Sequence, residues 1–387
     1  MPWKETCAVE EREALIAAWL EGEFSMSELS RRFGVSRPTA YKFVERFRHE
    51  GPPGLYDASR APYAHPNATG ERQVAAILAL KRRRPHWGPV TIHDWLLREH
   101  AQQRWPAAST IGEILKRHGL VQPRRRRHRT PAHLLPFAAV QAANDVWSAD
   151  FKGNFALGDR RVCYPLTLSD NYSRFLLCCH GLYQPDARHC RPHFERCFRE
   201  HGLPRAIRTD NGPPFASIAV GGLSALSVWW IKLGILPERI APGCPQENGR
   251  HERMHRTLKA CTAVPPKATL NAQQHAFNRF CAEYNQERPH RALGAGCSPA
   301  RLYRTSPRPY PERLPDVTYP VDFILRKVKS GGHMKWRGTA VYITKILEGE
   351  YIGLKALDHD RFEAYFGPLP LGIFDARRGQ IMKPRRP

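Results

Sequence analysis

From Glu10 to Glu21 the apolar positions Leu15, Ile16, Trp19 and Leu20 recur at helical spacing and Gly22 ends the run, which predicts an amphipathic helix. Ser25 and Glu28 form an S-x-x-E capping box that opens a second short helix ending at Gly34. Ser36 caps a third, in which Ala40, Phe43, Val44 and Phe47 fall at i, i+3, i+4 and i+7 before Gly51. Three short helices around a tight FGVS turn predict a helix-turn-helix over residues 1–60. Three more helical segments follow, marked by Val74, Ile77 and Leu78, by GPVTIHDWLLREH, and by Ser109 through Leu115 to Gly119. They predict a second helix-turn-helix or winged-helix-like domain over residues 61–122.

The period changes at Asn144. In DVWSADFKGNF, Trp147, Ala149, Phe151 and Phe155 alternate with Ser148, Asp150, Lys152 and Asn154, as in a strand with one apolar face and Asp150 on the other. CYPLTLSD and RFLLCCHGL continue as a meander, followed by a helix from about Asp186 to His201 and a short strand, RAIRTD, ending at Asp210. A helix (LSALSVWWIKLG), a strand (ILPERIAP) and a further helix complete the pattern of a mixed α/β sheet over residues 142–304. Prolines in TSPRPYPERLP mark a boundary, and the short alternating segments beyond it predict a small SH3-like β-barrel over residues 305–387 with a basic tail, KPRRP.

Charge decides what these domains meet. Sixty Lys and Arg against 36 Asp and Glu give a net charge of +24 and a pI near 10.0, which points to a large acidic partner, nucleic acid above all. Residues 1–30 carry seven acids and two bases, whereas 31–50 carry six bases and two acids. The third helix is therefore expected to face double-stranded DNA with Arg37, Thr39, Tyr41, Lys42 and Arg46. The linker over residues 123–141 holds Arg124, Arg125, Arg126 and Arg127 and is expected to seek phosphate. Ten cysteines without a C-x-x-C pair, no signal peptide and no apolar run of about 20 residues predict a reduced, cytoplasmic, nucleoid-associated protein with no membrane span.

QENGRHERMHRTLK, residues 246–259, sets His251, Glu252 and His255 in the order H-E-x-x-H, a zinc-peptidase signature when it lies on a helix. No G-x-x-H continuation supplies a third ligand, since Arg256, Thr257 and Leu258 follow His255. That reading also leaves the charge and the two aspartate-bearing strands unexplained.

Taken together, NDVWSADFKG, RTDNGPPF, PQENGRHERMHRTLK and FCAEYNQERPHRAL resemble the integrase core of bacterial insertion-sequence transposases, relatives of retroviral integrases with a D-D-E triad. The resemblance covers residues 142–304. It implies an RNase H-like mixed-sheet catalytic core and a triad of Asp150, Asp210 and Glu252 that ligates two Mg²⁺ or Mn²⁺ ions per active site. Such hard cations take oxygen ligands, and two of them about 3.5–4 Å apart suit phosphoryl transfer at a DNA phosphodiester. The resemblance further implies that Arg256 and Lys259, at i+4 and i+7 from Glu252, hold the element-end DNA. The expected activity is DDE transposition: a homo-oligomer binds the terminal repeats, cleaves there and transfers the strand into target DNA. The alternatives are a catalytically silent, domesticated DNA-binding relative, a nuclease of the same fold that cuts without joining, and a zinc metallopeptidase through His251, Glu252 and His255. Asp170, in the turn-forming sequence LSDNYSR, is expected to be structural.

Overall fold

Capping and helical period account for the first segment of the chain. The computed structural model describes residues 7–58, 68–121, 140–151, 153–241, 249–294 and 296–382. It divides the chain into two units, one reaching Ala68 and the other starting at Thr69. In the first unit, helices α1 (Ala8–Glu21), α2 (Met26–Arg32) and α3 (Arg37–Glu50) close over Leu15, Ile16, Ala40, Val44 and Leu55. The Ser25–Glu28 box forms as the sequence predicts, and Ser36 Oγ accepts from Thr39 N at 3.3 Å. Leu20, expected on the buried face, is 63% exposed, because the last turn of α1 runs past the edge of this small core.

The second unit begins with α4 (Glu71–Arg83), α5 (Pro89–Glu99) and α6 (Ala108–Arg117), packed around Ile77, Trp87, Ile92, Leu96, Ile111 and Leu115. Among the described residues of this segment the regular elements are these three helices, and no strand lies there. Its polar attachments reach a distant part of the chain. Trp87 Nε1 donates to Glu283 Oε1 at 2.9 Å, and Arg84 pairs with Glu283 at 3.1 Å and with Glu287.

Next comes the mixed sheet: β1 (Val146–Phe151), β2 (Phe155–Ala156), β3 (Val162–Asp170), β4 (Leu176–Leu182), β5 (Ala206–Thr209) and β6 (Leu236–Arg239). Strand β3 pairs antiparallel with β1, β2 and β4, while β1, β5 and β6 run parallel. Helices α7 (Ala187–His201) and α8 (Ala225–Lys232) bury Phe194, Phe198, Trp229 and Trp230 in one cluster with Trp147, Leu166 and Leu168. Helices α9 (Gly249–Thr262) and α10 (Leu270–Ala282) place Met254, Leu258, Phe277 and Phe280 in another. Adjacent residues Cys178 and Cys179 of β4 belong to different clusters, so the helix pairs cover opposite faces of the sheet. A π-helical turn, Glu283–Glu287, extends α10, and Asn285 there bonds both N and O of Leu176 in β4 at 2.8 and 2.9 Å.

The proline-rich stretch expected to mark a boundary is a strap on the core. Tyr310 packs against the α7–α8 cluster, and the Arg308 guanidinium donates to the carbonyls of Pro204, Leu233 and Gly234. Beyond it lie β7 (Ile324–Lys327), β8 (His333–Trp336), β9 (Thr339–Tyr342), β10 (Tyr351–Ala356), β11 (Arg361–Phe366), β12 (Leu369–Asp375) and β13 (Gln380–Met382). The expected barrel does not close. Five strands form an open antiparallel sheet in the order β13-β12-β11-β10-β7, and β8–β9 is a separate ribbon. The physical reason is what covers the apolar face: Ile352, Leu354, Phe362, Phe366 and Phe374 pack on Trp336 and Val341 of the ribbon and on a cluster shared with Leu223, Val228 and Ile231 of the core. A Lys232–Glu350 ion pair of 2.7 Å fastens the same junction.

Candidate active site

Sheet order brings the two aspartate-bearing segments side by side. Strands β1 and β5 pair in parallel as Val146 with Ala206, Trp147 with Ile207 and Ser148 with Arg208. Asp150 lies two residues past the last of these pairs in β1, and Asp210 directly follows the end of β5. Both are half-buried. Asp210 opens the turn that leaves β5: its Oδ1 accepts from Gly212 N at 3.2 Å, and Asn211 Nδ2 donates to Ile240 O at 2.7 Å. A Cβ on Gly212 would stand 3.1 Å from Asp210 Oδ2, so a side chain there would press on the carboxylate.

Glu252 is exposed in the first turn of α9. It lines a cleft of about 510 Å³ with His255, Arg256, Lys259, Ala260 and Val264. Arg256 and Lys259 are exposed, so one carboxylate and two cations share this surface as the helical spacing predicts.

His251 and His255 reach the sheet, His255 from the wall of the same cleft. Both are buried, and both present Nε2 to Thr167 Oγ1, at 2.7 and 2.6 Å. Thr167 faces Asp150 across the β1–β3 ladder, and its hydroxyl donates to the Asp150 carbonyl at 3.0 Å. His251 Nδ1 meets Ser169 Oγ at 2.9 Å, and His255 Nδ1 stands 3.8 Å from Asp150 Oδ2. Burial pushes the His251 pKa down to about 3, which keeps that ring neutral. Among the described residues, one group of three His, Cys, Asp or Glu side chains brings its ligand atoms within 4.8 Å of one another: Asp150, His251 and His255. The third partner absent downstream of H-E-x-x-H thus comes from β1. Three of the four imidazole nitrogens, however, face hydroxyls, whereas zinc needs bare nitrogen lone pairs. Asp210 and Glu252 lie outside this compact group.

Sequence reasoning did not single out Thr167 and Ser169. The signal was present, because two hydroxyl residues alternate on one face of an otherwise apolar strand. Asp170 has the structural role its turn suggested. It is 1% exposed and accepts from Asn144 N, Ser173 N and Ser173 Oγ at 2.8, 2.7 and 2.6 Å. Burial raises its pKa while these bonds oppose the rise.

On α3, Arg37, Tyr41 and Lys42 are exposed. Thr39 is half-buried with its hydroxyl 2.8 Å from the capping Ser36 Oγ, and Arg46 is turned back to donate to Tyr56 O at 2.8 Å. Arg124, Arg125, Arg126 and Arg127 lie outside the described residues. Among the described residues, no helix is long and apolar enough to cross a membrane.

Comparison with known proteins matches this layout. Residues 140–245 and 233–299 match models of the integrase core domain, residues 11–63 a helix-turn-helix domain, and residues 39–115 a homeodomain-like domain. The uncharacterized 31.7 kDa protein of insertion element IS407 from Burkholderia multivorans is 28% identical over 238 residues, 59% of this chain and 80% of that protein. The uncharacterized 39.2 kDa protein of insertion element IS476 from Xanthomonas euvesicatoria is 26% identical over 283 residues, 71% of this chain and 77% of that protein. Among solved structures, the HTLV-2 integrase catalytic core domain in complex with magnesium aligns with 42% of this chain and 98% of its own at 17% identity and a TM-score of 0.33. The simian T-cell lymphotropic virus intasome aligns with 80% of this chain and 100% of its own at 15% identity and a TM-score of 0.37. The chain thus carries a helix-turn-helix domain followed by an integrase core domain, and it is similar to proteins of bacterial insertion elements.

Proposed function

We propose that the chain is an active DDE transposase: it binds the terminal repeats of its element and catalyses metal-dependent DNA cleavage and strand transfer. The observation that supports this most is the parallel pairing of β1, which carries Asp150, with β5, which Asp210 follows directly, together with the hydrogen bond of His251 to Thr167 that brings the first turn of α9, the turn of Glu252, against the neighbouring strand. Three carboxylates offer only oxygen, the donor that Mg²⁺ and Mn²⁺ prefer, so Asp150, Asp210 and Glu252 fit a pair of such ions. When bound, two divalent cations supply Lewis acidity to the attacking and departing oxygens of an in-line displacement.

The chain's own residues hold and orient. Arg256 and Lys259 draw a DNA phosphate into the cleft that Glu252 lines. On the first helix-turn-helix, Arg37, Tyr41 and Lys42 meet the major groove, with Thr39 and Arg46 bracing the same helix, and the four linker arginines follow the backbone. Joining two ends to a target requires more than one such site, hence a homo-oligomer on DNA. The core is read as RNase H-like.

The test uses the full chain, duplexes carrying the inverted repeats that flank its gene, a plasmid target and Mg²⁺. Joined products that vanish with a chelator and return with added Mg²⁺ are expected. Repeat-specific binding with neither cleavage nor joining would contradict the proposal and favour the silent, DNA-binding reading, and cleavage without joining would favour the nuclease.

A further inference from the structure

The H-E-x-x-H stretch leaves two buried imidazoles for which the phosphoryl chemistry has no use. They lie one turn apart on α9 and converge on a single hydroxyl, Thr167 Oγ1. Thr167 is fully buried and sits directly across the ladder from Asp150. Its one proton goes to the Asp150 carbonyl, so Oγ1 is left as an acceptor and each ring meets it through Nε2–H. His251 Nδ1 then accepts from Ser169 Oγ, and His255 Nδ1 lies on the side of the Asp150 carboxylate.

We propose that His251 and His255 are positioning residues that fix the register of α9 on the β1–β3 ladder, and with it the distance from Glu252 to Asp150. The proposal rests on reading Asp150, Asp210 and Glu252 as the metal-binding carboxylates. Apolar contacts of Met254 and Leu258 hold the helix against the sheet, but such packing has little directional preference. A hydroxyl that receives two N–H groups and donates to a third partner has defined distances and angles. A shift of one residue along a helix moves a side chain by about 1.5 Å along the axis and turns it by about 100°, and misplacement by about 1 Å is enough to impair chemistry between held groups. The zinc-like spacing therefore serves as a dock, in which the two histidines engage the β1–β3 ladder while Glu252 stays exposed in the same stretch of helix.

The test is Mn²⁺ binding to the full chain, followed by electron paramagnetic resonance without DNA or turnover. Thr167→Val keeps the shape and removes the hydroxyl, and is expected to weaken Mn²⁺ affinity about 10- to 100-fold. Thr167→Ser keeps the hydroxyl and is expected to stay within about twofold of the parent. Asp150→Asn should abolish the tight site. Parent-like affinity in Thr167→Val, with binding lost in Asp150→Asn, would overturn the positioning role while leaving the carboxylate reading intact. Undiminished binding in both Asp150→Asn and Asp210→Asn would overturn the carboxylate reading and this proposal with it. Should Thr167→Val fail to fold, Ser169→Ala removes only the partner of His251 Nδ1, and a several-fold loss is expected. Unchanged affinity there would overturn the proposal.

Discussion

Asp150 and Asp170 stand at comparable sites, one near each end of a β1–β3 ladder that pairs Trp147 with Asp170 and Asp150 with Thr167, and their surroundings give them opposite tasks. Asp170 is enclosed by three donors, so Asp170→Ala should strand them and cost about 3 kcal/mol in a thermal or denaturant unfolding experiment. A loss below about 0.5 kcal/mol would show that the turn holds without the carboxylate. This division was legible in the sequence, since Asp-Asn-Tyr-Ser is a turn signal and Asp150 falls on the polar side of an alternating strand. The task of His251 and His255 was not. An i,i+4 spacing says that two side chains share a helix face, but what that face meets is decided by a strand some eighty residues earlier. Thr39 and Arg46 show the same limit at the DNA-binding helix: their exposure was inferred from helical phase, yet a cap and the carbonyl of Tyr56 engage them.

Elements bounded by caps and clear periods follow the sequence closely: α1 to α3, the β1–β3–β4 meander and α7 all lie where alternation and capping place them. The C-terminal strands were also legible one by one, but closure was not. Alternation records that a sheet has an apolar face and is silent on whether that face meets its own curl or a neighbouring helix. Between β4 and α7, His180 and His193 stack with ring centroids 3.7 Å apart, and burial pushes both pKa values down to about 4. Arg196 on α7 contributes to the lowering of both, with Glu200 one turn beyond it at 4.0 Å. An unfolded histidine takes its proton near pH 6.5, so between about 6.5 and 4 the unfolded chain binds more protons than the folded one. Stability should therefore fall as pH drops through that window and level off below it. Thermal melts at intervals from pH 7 to 4 check this, with a shallower decline expected for His180→Gln. An equal decline in that variant would place the acid sensitivity elsewhere.

For the whole molecule, the excess of 60 basic over 36 acidic side chains is spread along the chain, as a protein that tracks extended DNA requires. Counterion release then makes the logarithm of the DNA association constant fall linearly with the logarithm of salt, and neutralising six or more phosphates gives a slope of about −5 or steeper. Fluorescence anisotropy across a salt series measures it, and a flat response would contradict a binding mode built on phosphate contacts. Part of the basic surplus is committed internally, because Arg84 is held by Glu283 and Glu287 where the second helical module meets the core. Composition alone could not distinguish such cations from those facing solvent. The central claim is that Asp150, Asp210 and Glu252 carry the chemistry, and strand transfer by single carboxylate variants tests it most directly. With labelled element-end DNA, target plasmid and Mg²⁺, Asp150→Asn, Asp210→Asn and Glu252→Gln should each bind the ends as the parent does and yield no joined product. Joined product at the parent level from any one of the three would contradict the account.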